Sequence, residues 1–386
     1  MAFSKVLVAN RGEIAVRVIQ TAKAMGYCTV AVYSDADANA RHIQVADEAV
    51  YIGASKVSES YLRIDQIIEA CQKTGADAVH PGYGFLSENT DFAAACEANQ
   101  ITFIGPGSAA IELMGSKRLS KIAMIQAGVP CVLGYEGDQQ DLEFLAEQAG
   151  KIGYPLMVKA SAGGGGRGMR LVQHSAELME SLKTARSEAE NAFGSGELIL
   201  EKAVIAPRHV EIQVFGDQHD NYVYLFERDC SIQRRHQKLT EEAPSPFMTP
   251  ALRKKMGEAA VKAAEFIQYE GAGTVEFLVD KHRNFYFMEM NTRIQVEHGV
   301  TEMVTGIDLI VEQIRIAMGL PLSFSQEEIQ LKGHSIECRI NAEIPEKNFM
   351  PSPGVIKHMH LPAGNGVRVD TAIYTGYEIP SEYDSM

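Results

Sequence analysis

The chain has 386 residues, 46% hydrophobic and 22% charged, with 33 glycines, no tryptophan and a formal net charge of −14 at pH 7. That composition excludes disordered and fibrous classes, and the length exceeds what one hydrophobic core usually serves, so two or three domains with a cleft are expected. The acidic balance repels nucleic-acid backbones and anionic lipid, and no apolar run approaches the roughly 20 residues of a membrane span.

Residues 1–5 lead into a strand without the pattern of a secretory leader, which makes a cytoplasmic location the expectation. The six cysteines (28, 71, 96, 131, 230 and 338) are dispersed without zinc-site spacing and read as free thiols.

Residues 1–115 alternate short β-branched runs (5–8, 29–33, 78–80, 102–104) with amphipathic stretches (13–25, 64–71, 92–99), the rhythm of an open parallel sheet in an α/β domain. One or two further helices are expected over residues 111–127. Residues 136–203 read as a small lid of helix, strand, glycine loop, strand and long helix. Residues 204–386 change to hairpin-spaced strands (210–215, 222–226, 274–279, 285–290), the mark of a mostly antiparallel sheet. No internal repeat is visible.

Three segments carry chemistry. Lys159 is followed by the glycine run 163–166, Arg167 and Gly168, between two β runs. Backbone without side chains can wrap phosphate oxygens, and a linker would not sit between two strands. It is neither a Walker loop nor a dinucleotide fingerprint. In the second segment, a turn centred on His282–Arg283 would place Glu276 opposite Glu289, with Asn291 on the same face. Two facing carboxylates and an amide oxygen suit Mg²⁺ or Mn²⁺.

The same alternation, carried on to Arg293, Gln295 and Glu297, predicts a polar row of cation, amide and base; read alone, it fits an ion-pair network equally well. The third segment, residues 227–238, is a basic cluster: either an anion funnel or a solvated face. His209, alternating with apolar neighbours, reads as a satisfied structural histidine.

Taken together, the stretches 9–14, 80–89, 227–238, 271–274 and 289–298 resemble biotin carboxylase, the ATP-grasp component of biotin-dependent carboxylases, and the likeness runs from Lys5 to Met386. The resemblance implies an ATP-grasp lid and a two-part reaction. MgATP phosphorylates bicarbonate to carboxyphosphate, whose CO₂ then carboxylates N1′ of biotin.

It also implies roles. Lys117, Lys159 and the loop of Gly164, Gly165 and Gly166 hold the triphosphate, with Glu201, Lys202, Val204, His209, Gln233, His236 and Leu278 around adenine and ribose. Glu276, Glu289 and Asn291 hold magnesium, two ions being expected. Lys238, Arg293, Gln295 and Val296 seat bicarbonate and Glu297 deprotonates it, while Arg339, with Tyr83 nearby, steadies the charge on biotin. The implied partners are a biotin carboxyl carrier protein or domain, a carboxyltransferase and a second copy of the chain.

Two departures stand out: Ala162 where many members continue the glycine run, and Gly299 where the family usually has proline. By the same resemblance the chain stops before the family's C-terminal domain is complete. Other readings are a different ATP-grasp carboxylate ligase, or a nucleotide-binding assembly subunit without turnover.

Overall fold

The computed structural model describes residues 3–162 and 168–383. The first unit runs β1 (Lys5–Val8), α1 (Gly12–Ala24), β2 (Cys28–Ser34), α2 (Arg41–Val45), β3 (Glu48–Gly53), α3 (Ile64–Thr74), β4 (Ala78–His80), α4 (Thr90–Ala98) and β5 (Thr102–Phe103). Its parallel sheet has the order β3-β2-β1-β4-β5. Period-two alternation puts Val6 and Val8 into one core and Leu7 into another, so β1 is buried on both faces, as parallel strands are. The order reverses between β1 and β4, which opens a crevice at their carboxyl ends. Asn10 bridges it, donating to the carbonyls of Pro81 and Tyr83.

Two short helices follow, α5 (Ser108–Gly115) and α6 (Lys117–Gln126). Ser116 caps α6 by accepting from the Leu119 amide, which sets Lys117 in its first turn. The next unit comprises β6 (Gly134–Tyr135), α7 (Leu142–Ile152), β7 (Leu156–Ala160), β8 (Met169–Val172), α8 (Leu178–Phe193) and β9 (Leu198–Lys202). Its antiparallel sheet, β6-β9-β7-β8, buries Leu156, Val158, Leu198 and Leu200 under α7 and α8. Alternation turns Lys159 and Glu201 away from that core, where they pair.

The largest sheet is built from β10 (Arg208–Gly216), β11 (Tyr222–Arg234), β12 (Gln237–Ala243), β13 (Gly271–Val279), β14 (Phe285–Asn291) and β15 (Ser335–Cys338). Three helices accompany it: α9 (Pro250–Phe266), α10 (His298–Thr305) and α11 (Leu309–Ala317). The strand order is β14-β13-β10-β11-β12-β15, antiparallel throughout. One face of β10 and β13 (Val210, Ile212, Val214, Val275, Phe277) packs on Leu252, Met256, Ala260 and Ala263 of α9, whose start is fixed by the Thr249 cap and Pro250. The period of two therefore commits Glu211, Gln213, Thr274 and Glu276 to the other face, where all four are buried.

Sheets divide the chain more sharply than cores do. Val6 and Val8 share a core with Phe215, Ile294 and Leu309, and Met114 and Met124 share one with α9. No helix among the described residues is long and apolar enough to cross a membrane.

Candidate active site

The β13–β14 hairpin places two carboxylates directly opposite. Asp280 closes the turn by accepting from the amides of His282 and Asn284. Beside the turn the ladder pairs Val279 with Phe285 and Phe277 with Phe287; then the register shifts, and Glu276 faces Glu289 while Thr274 faces Asn291. The strict pairing expected from a turn at His282–Arg283 therefore holds only beyond a bulge that takes up the extra residue, Met288.

Glu276 is saturated. One oxygen accepts from Lys238 at 2.9 Å, Asn291 at 2.8 Å and Gln295 at 2.8 Å, and the other lies 2.6 Å from His209 Nε2. Burial raises its pKa, but Lys238 and His209 outweigh that and hold it well below the usual range. His209, which the resemblance places at the nucleotide, is thus joined to the carboxylate cluster. Burial lowers its pKa, yet Glu276 prevails and raises it.

Glu289 is raised by burial and by the charge of Glu276, although 31% of its side chain is exposed, and Lys117 stands 3.6 Å away. A carboxylate pushed up by a facing carboxylate, with an amide oxygen in the same ladder, fits a hard divalent cation, which would relieve the repulsion.

At the centre lies Lys238, whose ammonium reaches Glu211 at 2.6 Å, Glu276 at 2.9 Å and Glu297 at 2.7 Å. Burial lowers its pKa, but the three carboxylates drive it well above the usual range, so it stays charged. Beneath it Arg228 is fully buried, bound to Glu211, Gln213, Thr274, Thr301 and Gln295. The segment 227–238 is therefore not a solvated basic face. Arg228 and Lys238 turn inward, while Arg234 pairs with Glu343 and stacks on Phe349.

The row from Arg293 to Glu297 is not a continued strand, because β14 ends at Asn291. An irregular segment brings its side chains together instead. Arg293 donates to Glu88 at 2.8 Å and to Asn291 at 3.0 Å, Gln295 bridges Arg228 and Glu276, and Glu297 stands at the start of α10. Glu297 is clamped between Lys238 at 2.7 Å and Arg339 at 2.8 Å. Burial opposes its charge, but Lys238, Arg339 and Arg228 overcome that and hold it far below the usual carboxylate range. Arg339 lies just past β15. Val296 sits in the turn before α10.

On the lid side Glu201 is tied to Lys159 and to Lys121, and these cations carry its pKa down to about 2 against burial. Lys202 donates to the Tyr154 carbonyl, Gln233 contacts His209 Nδ1 at 3.0 Å, and Leu278 lies opposite His209 in the ladder. Val204 follows β9, and His236 is exposed at the tip of the β11–β12 turn. Gly164, Gly165 and Gly166 lie outside the described residues. Tyr83, in the β1–β4 crevice, donates to Glu13.

The biotin carboxylase N-terminal domain model matches residues 2–111, the carbamoyl-phosphate synthase L chain ATP-binding domain model 116–325, and the biotin carboxylase C-terminal domain model 337–386. A biotin carboxylase from Nostoc sp. is 55% identical over 386 residues, all of this chain and 86% of that one. The chain belongs to the biotin carboxylase family.

Its fold is that of the biotin carboxylase domain dimer of Hydrogenobacter thermophilus 2-oxoglutarate carboxylase, solved with MgADP, ADP and bicarbonate, at 53% identity and a TM-score of 0.96, covering all of this chain and 85% of that one. The alpha subunit of mouse methylcrotonoyl-CoA carboxylase is 56% identical over 384 residues, but the chain spans only 54% of its length.

Several residues of this cluster were not singled out from the sequence. Glu88 anchors Arg293, Lys121 joins Glu201 to Glu136, and Arg228 and Glu211 support Lys238. Glu88 and Arg228 lie in the stretches 80–89 and 227–238 that carry the resemblance, and Glu211 alternates with His209 on β10.

Proposed function

We propose that the chain catalyses the ATP- and bicarbonate-dependent carboxylation of biotin. The observation that carries this reading is Glu297, a carboxylate clamped between Lys238 and Arg339 beside the Glu276–Glu289 pair. An anion of bicarbonate's size entering here competes for the donors of Lys238, Arg293, Gln295 and the Val296 amide. As Lys238 turns to the anion, Glu297 loses the strongest of the contacts that depress its pKa and becomes a better base.

Bicarbonate, giving its proton to Glu297, attacks the γ-phosphorus of ATP and ADP leaves. The resulting carboxyphosphate breaks into CO₂ and phosphate, the phosphate takes the N1′ proton of biotin, and N1′ then bonds to the CO₂ carbon. Arg339, freed from Glu297, stabilises the oxyanion on the biotin ring, with Tyr83 beside it. Lys117, Lys159 and residues 164–166 hold the triphosphate. Glu201, Lys202, Val204, His209, Gln233, His236 and Leu278 border adenine and ribose; His236 must come in with the nucleotide. Glu276, Glu289 and Asn291 hold magnesium, which when bound neutralises charge on the phosphate oxygens.

The domain limits follow the same reading: an α/β unit over 1–115, a lid over 136–203 and a catalytic unit over 204–386. Biotin would arrive on a carrier protein or domain, a carboxyltransferase would use the product, and the chain would pair with a second copy in the cytoplasm. The acyl acceptor is not encoded here, since relatives include methylcrotonoyl-CoA, pyruvate and 2-oxoglutarate carboxylase subunits, so acetyl-CoA is one option among several. ADP release that requires bicarbonate and rises with free biotin is the expected result; release with another carboxylate in place of bicarbonate would favour a different ATP-grasp ligase.

A further inference from the structure

Glu241 and Glu337 stand directly opposite each other on β12 and β15. Like charges in that position repel. Glu241 is fully buried, and its Oε2 has no hydrogen-bond partner, while its Oε1 accepts from Arg339 Nε at 2.9 Å. Nη2 of the same guanidinium lies 2.9 Å from that Oε1 and donates to Glu297 at 2.8 Å.

Around this pair stand Glu211 on β10, Lys238 on β12, Glu297 before α10, Glu13 on α1, Arg339 and Arg368. With Glu241 and Glu337 themselves, and with Arg228 bound to Glu211, carboxylates outnumber cations five to four, an imbalance that such a cluster relieves by keeping a proton. In keeping with this, burial and neighbouring carboxylates raise Glu241 to about 7 and Glu337 to about 8.

Resting on the biotin carboxylase reading above, we propose that Glu241 is the positioning residue of Arg339, and that Glu241 and Glu337 share one proton, so the pair offers the guanidinium a single negative charge. Held by Glu241 through Nε, Arg339 can turn Nη2 from Glu297 to the biotin oxyanion without leaving the site. With both carboxyls ionised the pair pulls the guanidinium back, so coupling of ATP cleavage to carboxybiotin falls on the alkaline side.

The test uses the full chain with free biotin. Glu241→Leu should lower carboxybiotin formed per ADP about tenfold while leaving biotin-independent ADP release within about threefold, and Glu241→Gln, which keeps an acceptor, should restore most of the coupling. Glu337→Gln should remove the alkaline decline in coupling.

Melting supplies a readout free of turnover. Carboxyls raised in the folded state contribute stability that is full below their unfolded pKa of about 4.5 and is lost as pH rises through about 7 to 8, so the melting temperature should fall between about pH 5 and 8, and Glu337→Gln should remove about half of that fall. Unchanged coupling in Glu241→Leu would overturn the positioning role, and superimposable melting profiles would overturn the shared proton. If the unsubstituted chain shows no bicarbonate-dependent ADP release, the functional reading fails instead, and the melting profiles still decide the proton.

Discussion

Lys238 and Glu297 are 2.7 Å apart, and the same ammonium also binds Glu211 and Glu276, so one cation neutralises part of three buried carboxylates. Removing one partner of such a cluster costs more than the net worth of the pairs, because the others stay buried and uncompensated. Lys238→Met should therefore lower stability by about 3 to 5 kcal/mol and abolish bicarbonate-dependent ADP release. A variant that melts like the parent would show that water already screens the cluster.

Glu289 faces Glu276 across the ladder and is the less committed of the two. Glu289→Gln should cut Mg²⁺-dependent ADP release by about 10²- to 10³-fold and leave metal-free nucleotide binding, measured by calorimetry, within about threefold. Equal loss of both would make Glu289 structural.

Gly299 lies in the first turn of α10, and a Cβ there would meet only ordinary contacts, Glu337 Oε2 at 3.6 Å and Arg368 Cζ at 3.7 Å. Glycine is thus not required by space or backbone at this position. Gly299→Ala should raise stability by about 0.4 to 1 kcal/mol by narrowing the unfolded ensemble, and Gly299→Pro should be tolerated in a first helical turn. A lower melting temperature for the alanine variant would contradict this.

Glu201, held at about 2 by Lys159 and Lys121, contributes stability that is present above the ordinary glutamate range and is lost as pH falls from about 5 towards 2. Acid melts should show Glu201→Gln losing less stability over that window than the parent, by roughly 3 kcal/mol. Parallel curves would mean that the pairing is absent in solution.

The facing of Glu276 and Glu289 was legible because hairpin pairing and a period of two are local rules, and even an unforeseen bulge left the pair opposed. Arg228 was not, because its neighbours in sequence are charged while its partners, Glu211 and Gln295, come from other elements. The same holds for Glu88, which meets Arg293 from 205 residues away. Helix α9 escaped for another reason. Its apolar stripe is mostly alanine, which scores weakly as hydrophobic, although Thr249 and Pro250 marked its start. Strand β3 is an edge strand in which only Ile52 is buried, so its periodicity carried little signal.

The central claim is that Glu297 serves bicarbonate and Arg339 serves biotin, although the two side chains touch at 2.8 Å. The direct measurement is ADP release and carboxybiotin formation, side by side, in Glu297→Gln and Arg339→Gln. Glu297→Gln should abolish bicarbonate-dependent ADP release with or without biotin. Arg339→Gln should retain bicarbonate-dependent release but form about 10²- to 10³-fold less carboxybiotin, the worth of one preorganised donor to an oxyanion. If Arg339→Gln lowers both products in strict proportion, Arg339 belongs to the phosphoryl-transfer step and the division of labour is wrong.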